Sequence, residues 1–398
     1  MTHFTPQQQS ILQERLRLLG LHGMAPAQAA QPAPEQAVQQ TVQPAAAAGA
    51  MPELSLIFFS SAEGAAGGTY QLLLDAVRLA DQAGFKAVWT PERHFQDVGG
   101  PYPNPAVLGA AIAAVTSRLR VRAGSINLPL HDPLRVAEEW AVVDNLSNGR
   151  VDVAIAPGWH AGDFILQPQN YEMRRQLSSS HLDQVQALWR GERIVRNDPS
   201  GKAVEVRTFP RPVQPALPVW LTISHNADAW AYAGRRGVNV LTALINHSLE
   251  GLVERIAIYR AARAEAGLDP KGGVVSLMLH TYVGADGEDV KAMVKPALSA
   301  YLAGFLAQQD HLNSADQRHQ DVRALVRADP QAFVDFVFER YYESCSLLGS
   351  EERCTAMLRR VAEAGVTEVA CLADFGLGHA TVMQGLQRLA AMRTRLAA

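Results

Sequence analysis

From residue 51 onward, short apolar runs alternate with stretches in which apolar residues recur every three or four positions. Leu54-Ser55-Leu56-Ile57-Phe58-Phe59 is the first run, followed by a glycine-rich loop, Gly64-Ala65-Ala66-Gly67-Gly68-Thr69. Thr69 stands where it can cap a helix carrying Leu73, Val77 and Ala80 on one face. That helix stops at Gly84, and Lys86-Ala87-Val88-Trp89 reads as the next strand. Further strands are expected over Val121 to Leu128, Val151 to Ala156, Val219 to Ile223, Val238 to Leu241, Val274 to Val283 and Thr367 to Cys371. Helical spacing separates them over Leu134 to Leu146, Leu177 to Trp189, Leu249 to Ala266 and Val382 to Ala391. Eight strands, mostly followed by helices, predict an α/β fold, a (β/α)8 TIM barrel with loop insertions. A doubly wound sheet competes, but it advertises a dinucleotide site by GxGxxG after its first strand. The first loop here fits neither that pattern nor a P-loop, because no lysine follows its glycines.

Before residue 51 the pattern fails. Residues 24 to 50 hold 11 Ala, 6 Gln and 4 Pro, and the scattered prolines interrupt any long helix. Residues 1–50 are therefore expected to form a disordered, flexible Ala/Gln/Pro-rich extension or linker, with 51–398 as the barrel. Within it, Ser10 to Leu19 can form a short helix with Leu12, Leu16 and Leu19 on one face. It is either a weakly docking tail or a connector that recruits a larger assembly.

Composition narrows the class. The net charge is -3, with 36 Lys+Arg against 39 Asp+Glu and no basic block, which argues against a nucleic-acid surface. No apolar run approaches the ~20 residues that span a bilayer. The start, Met1 to Pro6, lacks the basic and apolar regions of a secretory signal. Cys345, Cys354 and Cys371 form no CxxC pair. A reducing cytoplasm is expected.

In a barrel the chemistry gathers where the strands end. After the second strand stands Thr90-Pro91-Glu92-Arg93-His94-Phe95, and Asn104-Pro105 then opens a helix. After the third comes Ala123-Gly124-Ser125-Ile126-Asn127-Leu128-Pro129-Leu130-His131-Asp132-Pro133, and after the fourth Ala156-Pro157-Gly158-Trp159-His160. A buried acid beside Arg and His is a common device for tuning proton transfer. Taken singly, Glu92 and Arg93 also read as a structural ion pair, and His131 as a helix cap. The histidines His94, His131, His160 and His280 lie one per loop, without HxH or HExxH spacing, so no metal site is expected. There is no GxSxG elbow, and Cys371 reads as core packing.

These motifs carry a resemblance. Trp89 to Phe95, Asn104-Pro105, Leu128 to Glu139 and Asp144 to Arg150 resemble the bacterial luciferase-like flavin monooxygenases. Gly158 to Phe164, Pro218 to Thr222, Leu279 to Gly284 and Ala370 to Gly376 are similar to a branch serving polyketide and nonribosomal-peptide assembly lines, the branch of the mupirocin pathway oxygenase. The resemblance implies an FMN-dependent monooxygenase of secondary metabolism, fed FMNH2 by a separate flavin reductase. O2 would add at the flavin C4a carbon, and one oxygen would pass to a (β-keto)acyl thioester on an acyl or peptidyl carrier protein. It also implies a homodimer, with neither nucleic-acid nor membrane partners. A deazaflavin-dependent dehydrogenase and a non-catalytic flavin-binding assembly-line domain stay open as alternatives.

Carried over by position, the resemblance implies a catalytic group of His94, Glu92 and Arg93. Cofactor contacts would come from Gly124, Ser125, Asn127, Gly158, Trp159, Tyr171, Ile223, Ser224, His225 and Asn226. Ser224 matches a phosphate-binding serine, Ile223 would lend its backbone N–H, and Gly124-Ser125 matches the site of a non-proline cis peptide. Two positions depart from luciferase. Arg93 replaces the first of its paired histidines, and Pro157 replaces a phosphate-contacting arginine, so the light reaction is not expected. Tyr171, Arg174 and Arg175 could serve the phosphate instead or form a solvated cluster.

Overall fold

The computed structural model describes residues 50–59, 70–97, 100–244, 248–309 and 330–397. The N-terminal extension up to residue 49, the glycine-rich loop and the Thr69 cap lie outside them. In chain order the strands are β1 (Glu53–Ile57), β2 (Ala87–Thr90), β3 (Arg120–Asn127), β4 (Val151–Ala156), β5 (Ile194–Asn197), β6 (Ala203–Val206), β7 (Val219–Thr222), β8 (Asn239–Ala243), β9 (Val275–Val283), β10 (Ser346–Gly349) and β11 (Glu368–Leu372). The helices are α1 (Gln71–Ala83), α2 (Pro105–Val115), α3 (Pro133–Ser147), α4 (Arg174–Arg190), α5 (Ala227–Arg236), α6 (Leu249–Glu265), α7 (Val290–Gln309), α8 (Pro330–Ser344), α9 (Glu351–Glu363) and α10 (His379–Ala397).

Eight parallel strands close into a barrel in the order β9-β11-β1-β2-β3-β4-β7-β8, and the β8–β9 pairing seals the ring. These are the eight strands that the apolar runs predict. Three further strands were not anticipated. β10 pairs in parallel with the upper half of β9, Ser346 beside His280. β5 and β6 form an antiparallel hairpin whose residues are mostly exposed, so no apolar run marks it.

Local chemistry sets the element ends. Helix α1 buries Leu73, Ala76, Val77 and Ala80 and stops at Gly84, whose φ of 77° favours glycine. At its start the cap position is Tyr70, without a side-chain bond. The Asn104 side chain accepts from Ala106 N and Val107 N to open α2. Asp132, not His131, caps α3 by accepting from Leu134 N at 2.8 Å. The Asp144-to-Arg150 run proves to be scaffold. Asp144 is fully buried and accepts from Val213 N and Gln214 N, while Arg150 donates to Leu119 O and Thr116 O.

Charge fills the barrel interior. The fully buried Arg122 donates to Asp152 Oδ2 at 2.6 Å and to Glu368 Oε1 and Oε2 at 2.7 and 2.8 Å. The rings of Trp89 and Trp220 lie 4.6 and 4.4 Å from its guanidinium carbon, and their indole N–H groups donate to Ser55 and Ser276. A buried charge is tolerated only when paired in this way, and removing one partner of such a set costs about 3–5 kcal/mol. Among the described residues, no helix is long and apolar enough to cross a membrane.

Candidate active site

The loop after β2 brings its side chains together at the C-terminal mouth of the barrel. Glu92 is buried, and its Oε1 lies 2.9 Å from His94 Nε2 and 2.5 Å from His131 Nε2. Its Oε2 accepts from Asn127 N at 2.7 Å. Burial pushes the Glu92 carboxyl up, but the bonds from His131 and His94, the His131 charge and the Asn127 N–H outweigh it and hold the group below the usual range. Burial likewise pulls His131 down, and the Glu92 bond and charge, helped by Glu139, leave it raised. Glu92 is therefore an anion with both oxygens facing protein donors. That arrangement suits orienting His94 better than meeting a substrate.

The expectation of a Glu92–Arg93 ion pair is corrected. Arg93 turns the other way and donates from Nη1 to Asp163 Oδ2 at 3.1 Å, its guanidinium 4.9 Å from the centre of the Trp159 ring. Asp163 Oδ1 also accepts from His94 N at 3.2 Å. Burial lowers the Arg93 pKa and raises that of Asp163 despite their attraction, because desolvation dominates for both. Held in this pair, Arg93 braces the loop that presents His94.

On β3, the Gly124–Ser125 peptide is cis. A Cβ at Gly124 would lie 3.0 Å from the Trp89 Cβ, a tight contact that the absence of a side chain relieves. The β3–β4 register slips between Gly124 and Ile126. Ser125 Oγ is hydrogen bonded to Thr222 Oγ1, whose residue is exposed at the end of β7. Asn127 is held by Glu92. Gly158 takes φ 75°, and a Cβ there would lie 2.7 Å from the Phe164 ring. Trp159 packs edge-on against His160, and Tyr171 edge-on against Phe164. Arg174 stacks on Tyr171 at 4.2 Å and donates to the Tyr171 carbonyl at 2.6 Å, while Arg175 is exposed.

At the end of β7 one expectation fails. The Ile223 N–H donates to Leu241 O at 3.0 Å, continuing the β7–β8 ladder, so it is not available to a phosphate. Ser224 stays half-buried with its Oγ 3.3 Å from His225 Nδ1, and its carbonyl accepts from Trp230 Nε1 at 2.7 Å. Asn226 spends its Oδ1 on capping α5, accepting from Ala229 N at 3.2 Å. Burial lowers the His225 pKa, with Arg255 of α6 adding to the effect.

The partners of four further residues are not legible in the sequence. His131 was seen at the rim but not tied to Glu92. The capping signature Asp132-Pro133 could have freed it from the cap role. Asp163 was not singled out as the partner of Arg93. Asp374 accepts from Phe59 N and from Tyr102 Oη, tying three loops at the mouth. His280 is fully buried, ringed by Tyr301, Tyr341 and Phe375, with Nδ1 2.9 Å from Tyr341 Oη. Burial pulls its pKa down to about 3. The three cysteines are buried and free, and burial pushes Cys371 up to about 12, which suits packing and not nucleophilic chemistry.

The profile of the family described as luciferase-like monooxygenase matches residues 53–368. The oxygenase component of a flavin-dependent trigonelline monooxygenase from Acinetobacter baylyi is 26% identical over 225 residues, covering 56% of this chain and 61% of that protein. Among solved structures, the oxygenating constituent of 3,6-diketocamphane monooxygenase from Pseudomonas putida, a type II Baeyer-Villiger enzyme in complex with FMN, has a TM-score of 0.66. It is 17% identical, and the match covers 87% of this chain and 98% of that one. An F420-dependent secondary alcohol dehydrogenase shares the fold with a TM-score of 0.65 and 15% identity, covering 86% and 98%.

Proposed function

From its membership of the luciferase-like monooxygenase family, to which this chain belongs, we propose that the protein is the oxygenase of a two-component system. It takes reduced FMN from a separate flavin reductase and transfers one atom of O2 to a carrier-bound (β-keto)acyl thioester of natural-product assembly, in the cytoplasm. The family is one of flavin-dependent monooxygenases. The observation that carries the finer reading is His94. It stands after β2 at the barrel mouth in contact with a buried carboxylate anion. The Acinetobacter relative is the oxygenase component of its monooxygenase, which supports the separate reductase. Exposed Val107 on α2 and Val142 and Leu146 on α3 support a homodimer through those helices.

The donor set fits a flavin. Ser125, Thr222, Ser224 and His225 offer hydroxyls and an imidazole with no carboxylate among them, so a phosphate and an uncharged ring edge both find donors without like-charge repulsion. Ser224 and His225 would hold the phosphate end, with Tyr171 and Arg174 in reserve, and Ser125, Asn127 and Thr222 the ring. Bound and reduced, the flavin would supply the electrons and the site of O2 activation. The chain's own residues do the rest. Trp159, Phe164 and Tyr171 exclude water from the mouth. The carbon between two carbonyls is acidic enough to lose a proton to His94, and Glu92 holds that imidazole in place. Arg93 and Asp163 fix the loop that carries it.

The test is oxygen-18 labelling. Supplied with FMN, a flavin reductase, NADH and 18O2, the protein should add a single 18O to a β-ketoacyl carrier protein, and fragmentation would separate hydroxylation from insertion into the chain. Failure to bind FMN, or hydride transfer with a deazaflavin in its place, would overturn the proposal in favour of a dehydrogenase. Flavin binding with no turnover on any acyl carrier would favour a non-catalytic domain.

A further inference from the structure

Side chains alternate along β9, and Ser276 accepts the Trp220 indole N–H inside the barrel, so Met278 and His280 share that inner face. Met278 is half-buried, and His280 stands one inner position above it, in register with Leu372 at the end of β11. Tyr301 of α7, Tyr341 of α8 and Phe375 surround its ring. Two polar atoms of this cluster have no hydrogen-bond partner among the described residues. One is His280 Nε2, which is sealed from water, and the other is the hydroxyl of Tyr301, a residue 8% exposed. Buried polar groups are rarely left in this state. Both atoms are donors. If Tyr341 Oη donates to His280 Nδ1, 2.9 Å away, Nε2–H alone is left over; the reverse bond would orphan the Tyr341 proton and the Nε2 lone pair together. Burial pulls the His280 pKa down to about 3, so the ring is neutral with its one proton on Nε2. Burial pushes the Tyr301 phenol up, with Asp374 adding to this and Arg93 opposing it, so Tyr301 keeps its proton too. Those two charges are already engaged, Arg93 with Asp163 and Asp374 with Phe59 N and Tyr102 Oη.

We propose that Tyr301 and His280 form a substrate-recognition site, two neutral donors that take the β-carbonyl oxygen of the acyl chain. This rests on the oxygenase reading for the substrate and adds the group by which it is selected. With no free charge beside them, the two donors suit an uncharged oxygen better than a carboxylate, whose water would be lost without an opposite charge in return. A plain hydrocarbon chain leaves both donors unsatisfied, and that costs more than the bonds themselves are worth. The Tyr301 hydroxyl meets the oxygen at the mouth. Its ring, edge-on to His280 with 4.7 Å between centres, turns aside to bring Nε2–H to the same atom. When the carbon beside that carbonyl loses its proton to His94, the negative charge moves onto the held oxygen and both hydrogen bonds strengthen. The count closes: His94 gains one proton, the substrate becomes an enolate, and neither Tyr301 nor His280 gives its proton away.

The probes are acetoacetyl-pantetheine and butanoyl-pantetheine, which differ in the β-carbonyl alone, titrated into the full-length protein with FMN bound. Wild type should bind the first about tenfold more tightly. Tyr301→Phe should bring the two within about twofold of each other, with FMN affinity and melting temperature unchanged. In 15N-histidine-labelled wild type, the His280 Nε2–H signal, assigned by its loss in His280→Phe, should shift with acetoacetyl-pantetheine and stay put with butanoyl-pantetheine. That shift is read in the unaltered protein, so it decides the matter even where a variant folds poorly. Equal affinity for the two probes in wild type, binding of neither, or a silent His280 signal would each overturn the proposal. Equal weakening of both probes in Tyr301→Phe would do the same, because it marks a residue that only shapes the wall. If the preference and the shift are found but oxygen-18 labelling gives no product, the site stands and the oxygenase reading fails. If labelling succeeds on acyl chains with no preference for a β-carbonyl, the oxygenase stands and the site fails.

Discussion

Single side chains at the mouth carry opposite charge logic, and two predictions follow from it. His94 is the ring left facing the mouth once Glu92 is committed to His131, His94 and Asn127. Acid–base assistance is typically worth ~10²–10⁴ in rate. His94→Asn should therefore lower product formation at least ~100-fold, release H2O2 in its place and keep FMN affinity within about threefold. Normal coupling in a flavin-replete His94→Asn protein, read by product and peroxide assays, would remove the assignment. The second prediction concerns His280. Its pKa of about 3 lies below the ordinary 6.5, so the unfolded chain binds the proton more readily. The sign is fixed: stability is intact above pH 6.5 and declines as pH falls toward 3, by up to ~1.4 kcal/mol per unit. Glu92, whose pKa is depressed from 4.5, adds its own loss only below that value. Urea melts at pH 7 and pH 5 should thus show a loss of ~1–2 kcal/mol in wild type that is largely absent in His280→Phe. Equal losses in both would mean that His280 is protonated in the folded protein.

At the scale of elements, the end of β7 and the start of α5 form the candidate phosphate end. The structure removes the Ile223 N–H from it and commits the Asn226 Oδ1 to the helix cap, which leaves the Ser224 hydroxyl and the His225 ring there. A hydrogen bond to a charged group is worth ~1.5–3 kcal/mol. Ser224→Ala should weaken FMN ~10- to 100-fold and riboflavin, which lacks the phosphate, hardly at all. Equal weakening of both in fluorescence titrations would move the phosphate toward Tyr171 and Arg174. The same element explains why the strand ending at Ile223 in the sequence pattern ends at Thr222 in the fold. Ile223 still makes one ladder bond, but its chain then turns into the cap of α5.

For the whole molecule, a barrel closed by the β8–β9 pairing has no need of a further segment to complete its ring. Residues 24 to 50 are too poor in large apolar groups to add a core, and residues 1–50 together precede the first barrel strand. Deleting them should leave the melting temperature and FMN affinity nearly unchanged, and early melting or flavin loss would place the extension within the barrel unit. The eight barrel strands were legible in the sequence because strands buried on both faces must be apolar runs, and helices packed on one side must repeat apolar residues every three to four positions. Gly84 and Asn104 were legible as punctuation because capping chemistry is local. The β5–β6 hairpin and β10 were not. The first has no buried face to pattern, and the second is a strand only because it meets β9. The site divides in the same way. Glu92, Arg93 and His94 could be found because they end a strand, but which of them pairs with which could not. Glu92 binds His131 from a loop 39 residues away, and Arg93 binds Asp163 from one 70 residues away. The buried charge of Arg122, likewise, is matched by Glu368 across 246 residues of chain. Burial and backbone pattern are written in neighbouring residues and so belong to the sequence. The partner of each buried charge depends on distances that exist only once the ring has closed, and that was decided by the tertiary structure alone.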